Sequence, residues 1–261
     1  MTRILNMNGG CGLFAVFIQA VSFYYEYPDD DIILKIMDNS PYLDSSITWT
    51  DNPWEYYFCQ SHKSNGEVIE HNNEFGKLMR NNGPIFIYNH PDSFFDAAYG
   101  IIQEKIKVRK VIYDEMMEFY VKYMEGHKIL SVHKRNLTHY QARYANHHPV
   151  GKKNITAEDC VNKIDLIIND YDKIFLLTDE IETLDLFKKK YGEDLIHHDS
   201  KITHSGTYVL DIYGGYNIGK EVLIEVLLAS KTDYFVPAKS NVSVAVRMFN
   251  RDIEYDKDIL W

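Results

Sequence analysis

The chain has 261 residues, enough for one large domain or two small ones. A formal net charge of −10 separates it from nucleic-acid binders, which carry a basic footprint, although a few placed Arg or Lys side chains still serve a phosphate locally. Apolar residues at 45% exclude a disordered chain, and the three cysteines give neither a disulfide framework nor a zinc pattern, which fits a reducing, cytoplasmic compartment.

The first element is a short apolar strand over residues 3–8, followed by a turn at Asn8-Gly9-Gly10-Cys11-Gly12. Residues 9–23 follow a basic residue and imitate a signal peptide. The run is too short to span a bilayer, Gln19 interrupts it and no small-residue cleavage site follows. A buried turn and helix over residues 13–25 is the better expectation, and no membrane span is expected. A second strand is predicted over 32–37. Residues 40–73 break the alternation, and their Trp, Tyr, Asn and Asp content, including Asn52-Pro53-Trp54-Glu55-Tyr56-Tyr57-Phe58, suits a binding loop. The 20 tyrosines serve either a core or a sugar-stacking cleft.

A further strand is predicted over 84–88 and a helix over 107–125. The second half is more regular. Strands are expected at 128–133, 173–177 and 234–236, with helices at 156–171, 180–191, 218–230 and 241–249. Thr156 and Asp159 form a capping-box pattern, and Gly192 stands where helices end. Alternation of this kind implies α/β structure with parallel sheets covered by helices. The division is expected near residues 120–127, giving units of 1–122 and 123–261.

Three clusters carry chemistry. Ser131-Val132-His133-Lys134-Arg135-Asn136 ends a buried strand, and ligands of open α/β sheets bind outside the carboxyl ends of strands. An arginine there can clamp a phosphate, or the strand can simply turn polar at the surface. Thr178-Asp179-Glu180 ends the next strand, where Thr178 suits a helix cap and Asp179 a place near its positive end. The third cluster joins Glu225, inside an apolar helix, to Ser240, Asn241 and Val242 at a later helix start. Such a start suits an anion. A carboxylate among apolar neighbours is costly unless it is paired or faces solvent. Asp29-Asp30-Asp31 reads as a solvated turn, and His147-His148, His197-His198 and His204 lack metal-ligand spacing. Sequons at Asn136, Asn154 and Asn241 carry no meaning in a cytoplasmic protein.

Together the blocks resemble the α1,6-fucosyltransferase and nodulation-fucosyltransferase group over roughly residues 120–250. VHKR matches the group's His-x-Arg through His133 and Arg135. Thr178-Asp179-Glu180 matches its second block, and Glu225, Ser230, Ser240 and Asn241 match its third. Gly9, Gly10 and Gly12 are similar to its Gly-rich first turn. The resemblance implies a GT-B architecture, two Rossmann-like domains with parallel sheets facing across a cleft. It implies an inverting, metal-independent glycosyltransferase that moves fucose from GDP-fucose to a glycan acceptor, with no further cofactor.

On that resemblance Arg135 holds the β-phosphate, and His133 and Glu225 read the guanine. Thr178 and Asp179 lie near the donor, and Ser240, Asn241 and Val242 meet the pyrophosphate. The chain departs from the group at Thr138, where an Asp is usual, at Arg143, near the expected base, and at Glu225, where an Asp is usual. Catalytic assignments therefore fall on Arg135 for the leaving group and on His139, His90 and Asp92 as candidate bases. Two alternatives stand beside this: another GDP- or UDP-sugar as donor, and a non-catalytic nucleotide- or glycan-binding protein on a decayed transferase scaffold.

Overall fold

The computed structural model describes residues 2–7, 12–36, 40–60, 67–70 (backbone only), 90–135, 156–205, 207 and 209–257. Among these the elements run β1 (Thr2–Met7), α1 (Leu13–Glu26), β2 (Asp31–Ile36), α2 (Pro53–Tyr57), β3 (Phe58–Cys59), β4 (Glu67–Glu70), α3 (Asp92–Lys105), β5 (Lys107–Val108), α4 (Lys110–Tyr123) and β6 (Ile129–Lys134). The order continues with α5 (Ala157–Ile164), β7 (Lys173–Thr178), α6 (Ile181–Tyr191), β8 (Leu195–His197), α7 (Val209–Ile212), α8 (Tyr216–Ala229), β9 (Tyr234–Val236), α9 (Asn241–Phe249) and β10 (Glu254–Tyr255).

The strands form two parallel sheets and a small antiparallel pair, β3 with β5. The first sheet has the order β2-β1-β4 and the second β10-β9-β6-β7-β8. In the second sheet β6, β7 and β8 step outward to one side. The chain then crosses through α8 to β9 and β10 on the other side, all in parallel. That is the strand order of a doubly wound nucleotide-binding fold, with its switch point between β6 and β9.

Residue chemistry explains the layers. β6 is buried at every position and β7 at all but its first, so both read as continuous apolar runs with both faces covered. α1 is buried from Leu13 through Tyr24, which makes it a core helix and explains its resemblance to a leader sequence. No helix among the described residues is long and apolar enough to cross a membrane. One core joins Phe17, Trp54 and Phe58 to Phe175, Phe235 and Val246, and a smaller one lies under α5 and α6. α8 and α9 cross between the sheets: α8 packs on α2 and α4, α9 on α1 and α3.

Thr156 and Asp159 close the expected capping box, and Gly192 ends α6 at φ +54°. Other expectations change. The helix from Thr156 stops at Ile164 instead of Tyr171, giving way to a 3-10 turn at Ile168–Asp170. Residues 107–108 pair with Phe58 and Cys59 before α4 begins. The aromatic segment at 53–58 is core and not a binding loop: Trp54, Tyr56, Tyr57 and Phe58 are buried, and Trp54 stacks on Phe58 at 4.3 Å. The strand predicted over 84–88 lies outside the described residues.

The start of α8 is tied to the first half of the chain. The Tyr216 N–H donates to Asp44 Oδ2 at 3.2 Å and the Gly215 N–H to the Pro41 carbonyl at 2.8 Å. Gly215 sits at φ +78°, and a Cβ there would lie 2.9 Å from Asp44 Oδ2, so only glycine fits. Gly219 accommodates the Tyr57 ring, which stacks on Tyr216 at 5.8 Å.

Candidate functional site

β6 carries His133 to the sheet's carboxyl edge, fully buried. Its Nδ1 lies 2.8 Å from Ser243 Oγ in the first turn of α9, and that oxygen accepts the Ala238 N–H at 2.9 Å. The bonding is satisfied when Ser243 donates to Nδ1, which puts the imidazole proton on Nε2. Burial, then the charges of Arg135 and Lys134, push the His133 pKa down to about 3, so the ring is neutral. This bond spans the switch point, from the end of β6 to the helix that follows β9.

Lys134 and Arg135 leave the strand on paired anions. Lys134 Nζ lies 3.0 Å from Glu180 Oε2, with the two side chains 3% and 10% exposed. Thr183 donates a further short hydrogen bond to the same oxygen. Arg135 Nη1 lies 3.0 Å from Asp179 Oδ2. The ends of β6 and β7 are therefore joined by two ion pairs. Thr178 departs from its expected role: its hydroxyl accepts the Glu180 N–H at 3.2 Å, and the N-cap position of α6 belongs to Glu180.

Ser240 caps α9, accepting the Val242 N–H at 3.2 Å, which places Ser240, Asn241 and Val242 at the positive end of a nine-residue helix beside the switch point. Glu225 is the unusual member. It is 7% exposed on α8, and its Oε1 has no hydrogen-bond partner among the described residues. Burial pushes its carboxyl up to about 8; the Ser200 hydroxyl works against burial, and the charges of Glu221 and Asp179 add smaller upward pushes.

The first half supplies a different environment. Gly12 is the N-cap of α1, and the next amide, Leu13 N–H, donates to Tyr42 Oη at 2.7 Å. His90 is 5% exposed and stacks on Phe94 at 4.2 Å, with no hydrogen bond to either ring nitrogen from the described residues. Burial lowers its pKa to about 4. Asp92 accepts from Arg247 Nη2 at 3.0 Å, and that buried guanidinium lies between the rings of Phe95 and Tyr255. No hydrogen bond or ion pair among the described residues joins His90 or Asp92 to the second sheet's carboxyl edge. His139, Asn136, Gly9 and Gly10 lie outside the described residues.

Asp29, Asp30 and Asp31 line a cavity of about 390 Å³ with Glu104 and Lys105, at the starting end of β2, and Asp30 pairs with Arg3. Among the described residues no three His, Cys, Asp or Glu side chains form a metal set. The sequence clusters include Lys134 and Glu180 without giving either a role, and the parts of Ser243 and Arg247 were not foreseen. Lys134 had a signal in its position at the end of a buried strand, where a cation needs a partner. Ser243 lies three residues after a predicted cap, on the turn facing the crevice.

The fold has solved counterparts. NodZ alpha-1,6-fucosyltransferase, co-crystallised with GDP, superposes with a TM-score of 0.53 at 15% identity, covering 95% of this chain and 92% of that one. POFUT1 in complex with GDP-fucose gives 0.53 at 10% identity, covering 97% and 96%. The fold is that of the GT-B fucosyltransferases. Fucosyltransferase NodZ from Bradyrhizobium gives 0.51 at 14% identity, with coverage of 95% and 92%. No family model matches the chain, and no curated protein sequence does.

Proposed function

We propose that this protein is an inverting, metal-independent glycosyltransferase that transfers fucose from GDP-fucose to a glycan acceptor. The observation that carries the reading is the convergence of basic, neutral and anion-binding groups at the switch point of the second sheet. His133 and Ser243 bridge β6 and α9, Arg135 stands at the strand end, and the start of α9 faces the same crevice. Its support is the fold shared with proteins crystallised with GDP and GDP-fucose.

In this reading residues 123–261 hold the donor and residues 1–122 face the acceptor. As the glycosidic bond to the diphosphate breaks, negative charge grows on the leaving oxygen. Arg135 meets it with charge-assisted hydrogen bonds, and the α9 N-terminus adds its positive end. The Nε2–H of His133 offers a hydrogen bond to the base. Asp179 orients Arg135, and Ser240 holds α9 in register.

The test is turnover of GDP-fucose, read as released GDP with and without oligosaccharide acceptors. Arg135→Ala is expected to lower turnover by about two orders of magnitude, as loss of an anion-hole donor does elsewhere. Undiminished turnover in that variant would remove the reading.

A second reading keeps the nucleotide site and drops the chemistry. It is favoured by the first half, where Asp92 is held by Arg247 and His90 is buried with a lowered pKa. GDP-fucose binding without hydrolysis or transfer to any acceptor would support it.

A further inference from the structure

Glu225 departs from what burial ordinarily permits. It lies between Ile224 and Val226 in the buried stretch of α8, yet its Oε1 has no partner among the described residues. The charged groups that act on it are both anions: Glu221, one turn earlier on α8, and Asp179 at the end of β7. Each of those carboxylates is engaged, Glu221 by the Lys201 N–H at 2.8 Å and Asp179 by Arg135 at 3.0 Å. From the loop after β8, among the described residues, the Ser200 hydroxyl favours an ionised Glu225, and that hydroxyl lies 2.8 Å from His198 Nδ1. No cation among the described residues offsets its charge, and at neutral pH the side chain is held as a protonated acid, consistent with a carboxyl pushed up to about 8.

A protonated carboxyl and a carboxylate recognise different base edges. The neutral acid offers one donor and one acceptor, and the ion offers acceptors only. Guanine and uracil both present a carbonyl beside a ring N–H, so a neutral acid pairs equally well with either. Guanine also presents its ring N–H beside an amino group, two adjacent donors that only a carboxylate can take together. A carboxylate facing uracil meets one donor and one carbonyl lone pair, which repels it.

Resting on the donor-site reading above, we propose that Glu225 sets nucleobase selectivity through its protonation state. Taking up GDP in the selective mode expels the Glu225 proton to solvent, and the protonated acid does not discriminate guanine from uracil. The protein is therefore a proton-linked guanine selector. It is most selective where Glu225 ionises readily and loses selectivity as pH falls.

The experiment is calorimetric titration of the full chain with GDP and with UDP between about pH 6 and pH 9, in buffers of different ionisation heat. Both ligands carry the same diphosphate, so its own ionisation cancels in the ratio of their affinities. The ratio of GDP to UDP affinity should rise with pH by up to about tenfold per unit, through GDP gaining affinity below about pH 8 and UDP losing it above. GDP binding near neutral pH should release about one more proton than UDP binding. Glu225→Gln carries a permanent donor and acceptor, so its ratio should be low and flat. Glu225→Asp keeps an ionisable group and should keep the rise, which serves if the glutamine variant does not fold.

A flat ratio in the unaltered protein, with GDP still bound, would overturn this inference and leave the donor-site reading standing. So would a rise that persists in Glu225→Gln. Binding of neither nucleotide at any pH would overturn both.

Discussion

Two regions of the same sheet edge bury a glutamate and treat it oppositely. At the start of α6, Glu180 meets the Lys134 ammonium at 3.0 Å and the Thr183 hydroxyl. Burial pushes its carboxyl up, but Thr183 and Lys134 outweigh burial and hold it below its ordinary value. On α8, Glu225 meets among the described residues the Ser200 hydroxyl and two like charges but no cation; burial dominates, and its carboxyl rises to about 8. The first region is a completed ion pair that fixes the ends of β6 and β7. The second has no cation partner among the described residues, and on the donor-site reading its open acceptor is the place for a base. The comparison teaches that burial alone does not identify a functional carboxylate; what distinguishes it is the missing partner.

The largest expected effect breaks the completed pair. Lys134→Met leaves Glu180 buried without its cation and should cost about 3 kcal/mol in denaturant unfolding. A cost near zero would mean that Glu180 is as uncompensated as Glu225. Next is the pH dependence of stability. The folded pKa of Glu225 lies above its unfolded value, so its contribution is fully present below the ordinary carboxylate range and is lost as pH rises toward about 8. Glu225→Gln should remove that loss across the window. Glu180 has the opposite sign: its contribution is present above the ordinary carboxylate value and is lost as pH falls through its lowered folded value. Thermal melts from acid to mildly alkaline pH separate the two.

Smaller effects test the tie that holds α8 in place beside the site. Gly215→Ala forces an alanine into φ +78° with Asp44 Oδ2 2.9 Å from its Cβ and should cost about 2 kcal/mol. Asp44→Ala removes the carboxylate that accepts the Tyr216 N–H and should cost about 1 kcal/mol, the scale of a lost helix cap. Both belong in unfolding measurements, with turnover recorded alongside. If α8 positions Glu225, these variants weaken GDP binding beyond what their stability loss explains.

Much of this architecture was readable because the second half is locally consistent. Apolar runs such as Lys173–Thr178 are bounded by residues that stop or start helices, and Thr156, Asp159 and Gly192 act over three or four positions. Elements whose identity depends on distant partners were not readable. β4, with the sequence EVIE, is a strand because it pairs with β1, and β8 has only three residues. α3 carries Gly100 and four charged residues across 14, and its face is set by α1 and α9. The tryptophan- and tyrosine-rich stretch at 53–58 was misread because composition suits a core and a sugar cleft equally.

At the site, single positions were legible and their pairings were not. His133, Arg135 and Ser240 follow from strand ends and a helix start. Ser243 as the partner of His133 joins residues 110 positions apart, and Lys134 with Glu180 joins residues 46 apart. Only the fold brings such groups together. Asp92 shows the reverse case: its chemistry suits a base, but Arg247, 155 residues away, engages it.

The central claim is that the carboxyl edge of the second sheet holds a nucleoside diphosphate. The most direct measurement is a crystal structure of the protein soaked with GDP-fucose. The diphosphate should lie within hydrogen-bond reach of Arg135 and the α9 N-terminus at Ser240, with guanine against Glu225 and His133. A nucleotide bound elsewhere, such as the acidic cavity beside Asp30, with the β6–β9 crevice occupied only by solvent, would contradict it.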